Sequence, residues 1–179
     1  MAVPVTGAFE QAVRALQNCP GKIITTGMGK AGHIARKFAA TLSSTGTPGV
    51  YVHPGEAAHG DLGVIDEGDC MTAFSTSGKT QEVLDTLGRG RDLGLKTVIG
   101  ITSHPDSALR QLSDITIDMG VVDEPCALRL TPSASIAVML AISDALALVL
   151  MELNNFTRSD YGLRHHGGYL GSKARLEIE

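Results

Sequence analysis

The residue types able to do chemistry fall in four loops and one late segment. The first, Gly27-Met28-Gly29-Lys30-Ala31-Gly32, spells G-x-G-x-x-G between an apolar run and a helical pattern. A dinucleotide site would need an acidic residue about twenty positions on, and His53-Pro54 stands there instead, so an NAD site is disfavoured. Lys30 beside helix-start amides suits an anionic substrate or a developing oxyanion, with Gly29 supplying close backbone approach. The second loop, Ser75-Thr76-Ser77-Gly78-Lys79-Thr80, carries hydroxyls, a glycine and a helix start, the combination that cradles a phosphate. It is not a nucleotide-hydrolysing P-loop, because that motif has a glycine where Ala73 stands. An ordinary cap explains one hydroxyl; Ser75, Ser77 and Thr80 together point to phosphate. Glu82 follows in the first helical turn, a place suited to a base and equally to capping.

In the third loop, His53 to Asp61, the intervals among His53, Glu56 and His59 raise a metal site, but Pro54-Gly55 spoils any firm ligand spacing. Histidines bonding a sugar or the backbone are the better reading, and no metal is expected. The fourth, Asp123-Glu124-Pro125-Cys126, holds Glu124 extended before a proline, facing either substrate or solvent. The late segment, Arg164-His165-His166-Gly167-Gly168, offers an imidazole for proton transfer, against a flexible polar tail as the plain alternative.

The elements that must position these loops alternate regularly. Apolar, β-branched runs at 22–26, 50–53, 70–75, 97–102 and 115–119 read as five strands, with helical spacing after the first, third and fourth. A long apolar helix begins near Pro132-Ser133. Nearly continuous apolar strands interleaved with helices give an α/β fold: a doubly wound five-stranded parallel sheet, helices on both faces, binding its ligand at the carboxyl ends of the strands.

Composition bounds the rest. The chain has 179 residues, 43% hydrophobic and 19% charged, enough for one packed domain across 1–179. A net charge of −4 removes the overall basic field that nucleic acid or anionic membrane binding uses. Cys19, Cys70 and Cys126 have no framework or zinc spacing and read as small hydrophobes in a reducing compartment. The first seven residues lack a leader pattern, and Ser143, Asp144 and Glu152 interrupt the apolar run 136–153, so it reads as a core helix. Cytoplasmic residence is the expectation.

Taken in order, these stretches resemble the sugar isomerase (SIS) domain, and among its members the arabinose-5-phosphate isomerases. Gly27 to Lys30, Ser44 to Pro48, His53 to Gly63, Ser75-x-Ser77-Gly78-x-Thr80 and His165-x-Gly167-Gly168-x-Leu170-Gly171 carry the likeness. The serine-rich block is common to SIS domains, whereas the nine residues from His53 to Asp61 are particular to the subgroup. The resemblance implies interconversion of D-arabinose 5-phosphate and D-ribulose 5-phosphate without a cofactor. Lys30, Glu82, Glu124 and His165 match the catalytic positions, with Gly29, His59, Ser75, Ser77, Gly78 and Thr80 binding substrate. Which carboxylate is the carbon base stays open.

The same resemblance implies a homo-oligomer, a tetramer built from dimers, whose late histidine reaches a neighbouring subunit's site, and no nucleic-acid or membrane partner. Relatives often add paired CBS modules, and none is read here. Ala31, His166 and Arg129 depart from the family pattern. The rival readings are an isomerase of a hexulose or heptulose phosphate and a non-catalytic phosphosugar-binding domain. The regulator version of the latter wants a helix-turn-helix module, which the sequence does not show, and a lost acid–base set.

Overall fold

A computed structural model describes residues 7–176. The lack of a leader pattern concerns residues most of which, 1–6, lie outside that range. Five strands, β1 (Ile23–Gly27), β2 (Gly49–Val52), β3 (Cys70–Phe74), β4 (Thr97–Thr102) and β5 (Ile115–Asp118), form one sheet in the order β2-β1-β3-β4-β5. Every pairing is parallel, with Ile23 opposite both Gly49 and Cys70. Each strand lies within a residue of its sequence-read bounds, because its run of mostly apolar and β-branched residues suits a sheet covered on both faces, most completely in the central β1, β3 and β4.

Successive strand residues supply opposite faces. Ile23, Phe74, Ile99 and Ile101 pack under α1 (Gly7–Gln17), α2 (Gly29–Ser44) and α6 (Ala134–Leu153), where Phe38 meets Phe74 edge-on at 6.0 Å between ring centroids. Ile24, Met71, Ala73 and Val98 pack under α3 (Pro54–Ala57), α4 (Gln81–Asp92) and α5 (Ala108–Leu112). The two threonines of β1 are satisfied by neighbouring carbonyls, Thr25 Oγ1 donating to Ala35 O at 2.8 Å and Thr26 Oγ1 to Val52 O at 2.9 Å, whereas the buried hydroxyls of Thr72 in β3 and Thr116 in β5 have no hydrogen-bond partner among the described residues.

Four elements go beyond the sequence reading. α1 covers the sheet through Ala12, Val13 and Leu16. α3 starts at Pro54-Gly55, the pair read as spoiling a regular ligand spacing: Pro54 sits at the first helical position, where a missing N–H costs nothing. The late segment is the short link between two helices rather than a loose tail, with α7 (Arg158–Arg164) ending at its first residue and α8 (Gly168–Leu176) starting at its last, and Thr157 with Asp160 forms a reciprocal capping box on α7. Among the described residues α6 is the one helix long and apolar enough to cross a bilayer, with a mean hydropathy of 2.2. It instead presses Met139, Ile142, Leu146 and Leu150 into the core, as expected of a core helix. α6 also links the two ends of the sheet. It leaves the carboxyl edge and ends at the amino edge, where Asn154 Nδ2 donates to Thr47 Oγ1 just ahead of β2.

Candidate functional site

The loops after β1, β2, β3 and β5 all emerge at the carboxyl edge, and the loops after β1 and β3 are neighbours at the point where the strand order reverses. In the first, Gly32 is fixed by close packing: a Cβ there would stand 2.4 Å from Gly27 O and 2.9 Å from the Tyr51 hydroxyl, which itself donates to Gly27 O. That contact seats the start of α2 on β1. Gly29 and Lys30 then open the helix exposed to solvent, and the Lys30 ammonium has no partner among the described residues.

The loop after β3 is the most built part of the site. Ser75 is buried, and its Oγ lies 2.9 Å from Thr80 Oγ1. Ser77 Oγ accepts from the Lys79 amide, and the Gly78 amide donates to Ser75 O, which closes the turn. Gly78 has φ +61°, and a Cβ there would sit 1.9 Å from Ser107 Oγ, so both backbone and space demand glycine. The amides of Thr76 and Ser77 have no acceptor among the described residues. Two free amides, three hydroxyls and the start of the twelve-residue α4 make an anion cradle. Glu82, in the first turn of α4, is exposed and its carboxylate is unpartnered among the described residues. A cavity of about 1160 Å³ between α3 and α4 takes in Pro54, Gly55, Glu82 and Asp85 but none of the cradle hydroxyls. It follows the outside of α4 rather than the Ser75–Thr80 turn.

Glu124 differs from its expected role as an open carboxylate. Its Oε2 accepts from the Ser133 amide at 2.8 Å, the Ser133 hydroxyl at 3.0 Å and the Ala134 amide at 2.8 Å. Its Oε1 accepts from the Ser135 amide at 3.3 Å and from the Ser135 hydroxyl. The carboxylate therefore caps α6, and the Ser135 hydroxyl, with the Ser133 and Ala134 donors, holds it down at about 2. The signal is present in the sequence as Ser133-Ala134-Ser135 at a helix start, but the capping side chain lies nine residues upstream, where local capping rules do not look.

His53 caps α3, its Nδ1 accepting from the Gly55 amide at 3.1 Å, so it bonds backbone rather than substrate. His59 is exposed in the turn that follows. Among the described residues no three His, Cys, Asp or Glu side chains gather as a metal site. His165 stands apart from all of these. Stacked on Tyr161 at 3.8 Å and with Nδ1 3.1 Å from Tyr161 O, it lies beyond the far end of α6, at the amino edge. The twenty residues of α6 put roughly 30 Å of helix between the Glu124 cap and that end. Lys30, Ser75, Ser77, Gly78, Thr80, Glu82 and Glu124 thus share one edge of one chain, and His165 of the same chain does not join them.

The SIS domain family matches residues 16–149. This chain belongs to that family. The SIS protein is 42% identical over 171 residues to the arabinose 5-phosphate isomerase KdsD of Pseudomonas aeruginosa, a match covering 96% of this chain and 52% of that one. It is 43% identical over 160 residues to KdsD of Escherichia coli, covering 89% and 48%. The SIS protein spans about half the length of the curated relatives it matches. Among solved structures, Escherichia coli c3406 in complex with arabinose 5-phosphate superposes with a TM-score of 0.87 at 42% identity, covering 90% of this chain and 86% of that one.

Proposed function

We propose that the protein interconverts D-arabinose 5-phosphate and D-ribulose 5-phosphate. The observation that carries this is the pairing of a pre-built anion cradle at Ser75 to Thr80 with an unpartnered cation, Lys30, and an unpartnered carboxylate, Glu82, at the same sheet edge. The likeness to a structure holding arabinose 5-phosphate, along nearly its whole length, supports the choice of pentose.

The cradle grips the phosphate and so presents the other end of the sugar to the acid–base groups. In the open-chain aldose, Glu82 removes the proton on C2 while Lys30 stabilises the charge that develops on the enediolate oxygen. A proton moves from the C2 hydroxyl to the oxygen on C1, and Glu82 returns its own proton to C1, which completes the ketose with no net change in electrons. Glu124 is poorly suited to the carbon-base role: its oxygens are taken by the α6 cap, and its low proton affinity disfavours abstraction. We assign it to holding the loop after β5 beside the substrate. His59 binds a sugar hydroxyl.

His165 serves ring opening in the site of another copy, since its own chain holds it at the opposite edge. The second copy is supported by apolar exposure: Leu148 on α6 is 50% exposed, and Val121, Leu128, Leu130, Leu163 and Tyr169 are more so. A homo-oligomer, assembled as a tetramer, meets that need. Residence in the cytoplasm fits three free thiols and a phosphorylated substrate. The test is incubation with D-arabinose 5-phosphate beside six- and seven-carbon sugar phosphates while ketose formation is followed. Turnover of the pentose alone is expected; turnover of a hexose or heptose phosphate in its place would overturn the assignment, and binding without turnover would make this a sensor domain.

A further inference from the structure

One imidazole outside the residues assigned so far is bound to the anion cradle. The loop between β4 and α5 lies against the Ser75–Thr80 loop along its whole length. Ile101 O accepts from the Ser75 amide at 3.1 Å, the Leu109 amide donates to Gly78 O at 3.0 Å, and the Ser107 side chain fills the space a residue larger than glycine would need at 78. At the centre of this contact is one carbonyl. Thr76 O receives the Ser103 amide at 3.0 Å, the Thr102 hydroxyl at 3.0 Å and the His104 ring nitrogen Nδ1 at 2.9 Å. His104 also ties down the second of these donors, because its own amide donates to Thr102 Oγ1 at 3.1 Å. A carbonyl only accepts, so Nδ1 carries the proton in this contact.

Peptide planarity carries this contact through to the ligand side. In a trans peptide the N–H points opposite to the C=O. Holding Thr76 O toward β4 therefore aims the Ser77 N–H away from β4, and that amide is one of the two without an acceptor among the described residues. Were the peptide to rotate, the carbonyl oxygen would swing toward the anion and repel it. We propose that His104 is a positioning residue that locks the Thr76–Ser77 peptide in its anion-binding orientation. This role rests on reading Ser75 to Thr80 as the phosphate loop. His104 is exposed, so replacing it removes this one bond without opening the core.

The experiment compares wild type, His104→Ala and His104→Asn, the last because its amide nitrogen can reach the same carbonyl. Inorganic phosphate is titrated against each while the Ser77 amide nitrogen–proton resonance is followed, and kcat and KM for D-arabinose 5-phosphate are measured in parallel. The alanine variant is expected to weaken phosphate binding and raise KM by about fivefold, with kcat held within about twofold and the asparagine variant near wild type. Unchanged phosphate affinity in His104→Ala, or an asparagine variant as weak as alanine, would overturn the proposal. Should wild type bind phosphate at Ser77 yet leave arabinose 5-phosphate unturned, the isomerase reading fails while the phosphate titration still decides the role of His104. Should phosphate leave the Ser77 resonance unmoved even in wild type, both fall together.

Discussion

The two edges of this sheet treat their polar groups in opposite ways. At the amino edge, Asp69 is buried with every oxygen engaged: Oδ1 accepts from the Lys22 amide, Oδ2 accepts from the Asp66 amide, and the Lys22 ammonium sits 2.7 Å from Oδ2. Burial pushes its carboxyl up, but the Lys22 contact and the two amides outweigh it and hold the group below the ordinary 3.8. At the carboxyl edge, Lys30 and Glu82 stand exposed and unpartnered, and the Thr76 and Ser77 amides have no acceptor, among the described residues. One edge spends its polar groups on the fold; the other leaves them for a ligand. Functional groups are recognised here less by type than by what they lack.

That contrast breaks most visibly at Asp69. Asp69→Ala leaves two amides without their acceptor and the Lys22 ammonium with Asp66 alone, and is expected to lower stability by about 3 kcal/mol, the low end for a broken buried pair because Lys22 keeps that second partner and its side chain is 20% exposed. Urea unfolding measures it, and kcat of the folded protein stays within about twofold. The pH dependence comes from the depressed carboxyl. Its contribution is complete above the unfolded value and is lost as pH falls through the folded one, so Asp69→Asn should flatten the acid limb of the stability curve. An unchanged acid limb would show the amino-edge pairing to be energetically idle.

Glu82 inverts the result. Glu82→Gln removes no bond seen in the fold, so its thermal midpoint should match wild type while kcat drops about 100-fold, equivalent to about 2.7 kcal/mol of barrier. Loss of exchange between the C2 proton and solvent deuterium would place the defect at the carbon step. A variant with normal turnover would remove Glu82 as the base.

His165 sharpens the comparison because it is the one matched position on the wrong edge. Lys30→Met and His165→Asn should each be nearly inactive. Mixed, then dissociated and reassembled, they should recover activity at up to about a quarter of all sites, since half the pairs are mixed and one of their two sites is intact. Recovery of nothing from two inactive parents would overturn the exchange of His165 between copies, and full activity of His165→Asn alone would place it outside the reaction, as a group that merely stacks on Tyr161.

What the sequence disclosed divides along the same line. The strands and the turn from Ser75 to Thr80 were legible because they depend on local residue types: β-branched and apolar runs, and hydroxyls and a glycine ahead of a helix. The resemblance of the His53 to Asp61 block and its neighbours pointed to the family from residue order alone. What stayed hidden depends on contacts between distant residues. Nothing near Glu124 announces that Ser133 to Ser135 will close on it, and nothing near His104 announces the Thr76 carbonyl. The Cys19 thiol donates to the Gly68 carbonyl and the Cys70 thiol to the Ala15 carbonyl, contacts between segments far apart in the chain that are hidden for the same reason.

Glu124 is the smallest effect and the one that discriminates most finely between the two carboxylates. If its work is to cap α6, Glu124→Gln keeps one acceptor oxygen but loses the charge that favours a helix start, so the thermal midpoint should fall by a few degrees. Because the folded carboxyl lies at about 2, its stabilising contribution is full above the ordinary 4.5 and disappears as pH falls through about 2, and the glutamine variant should lack that acid-sensitive component. Turnover should fall less than in Glu82→Gln, with solvent exchange at C2 preserved. If instead Glu124→Gln abolishes that exchange at an unchanged thermal midpoint, the roles are reversed. The cap would then be an arrangement that substrate binding must break, freeing Glu124 to reach the carbon while Ser133 and Ser135 turn to water.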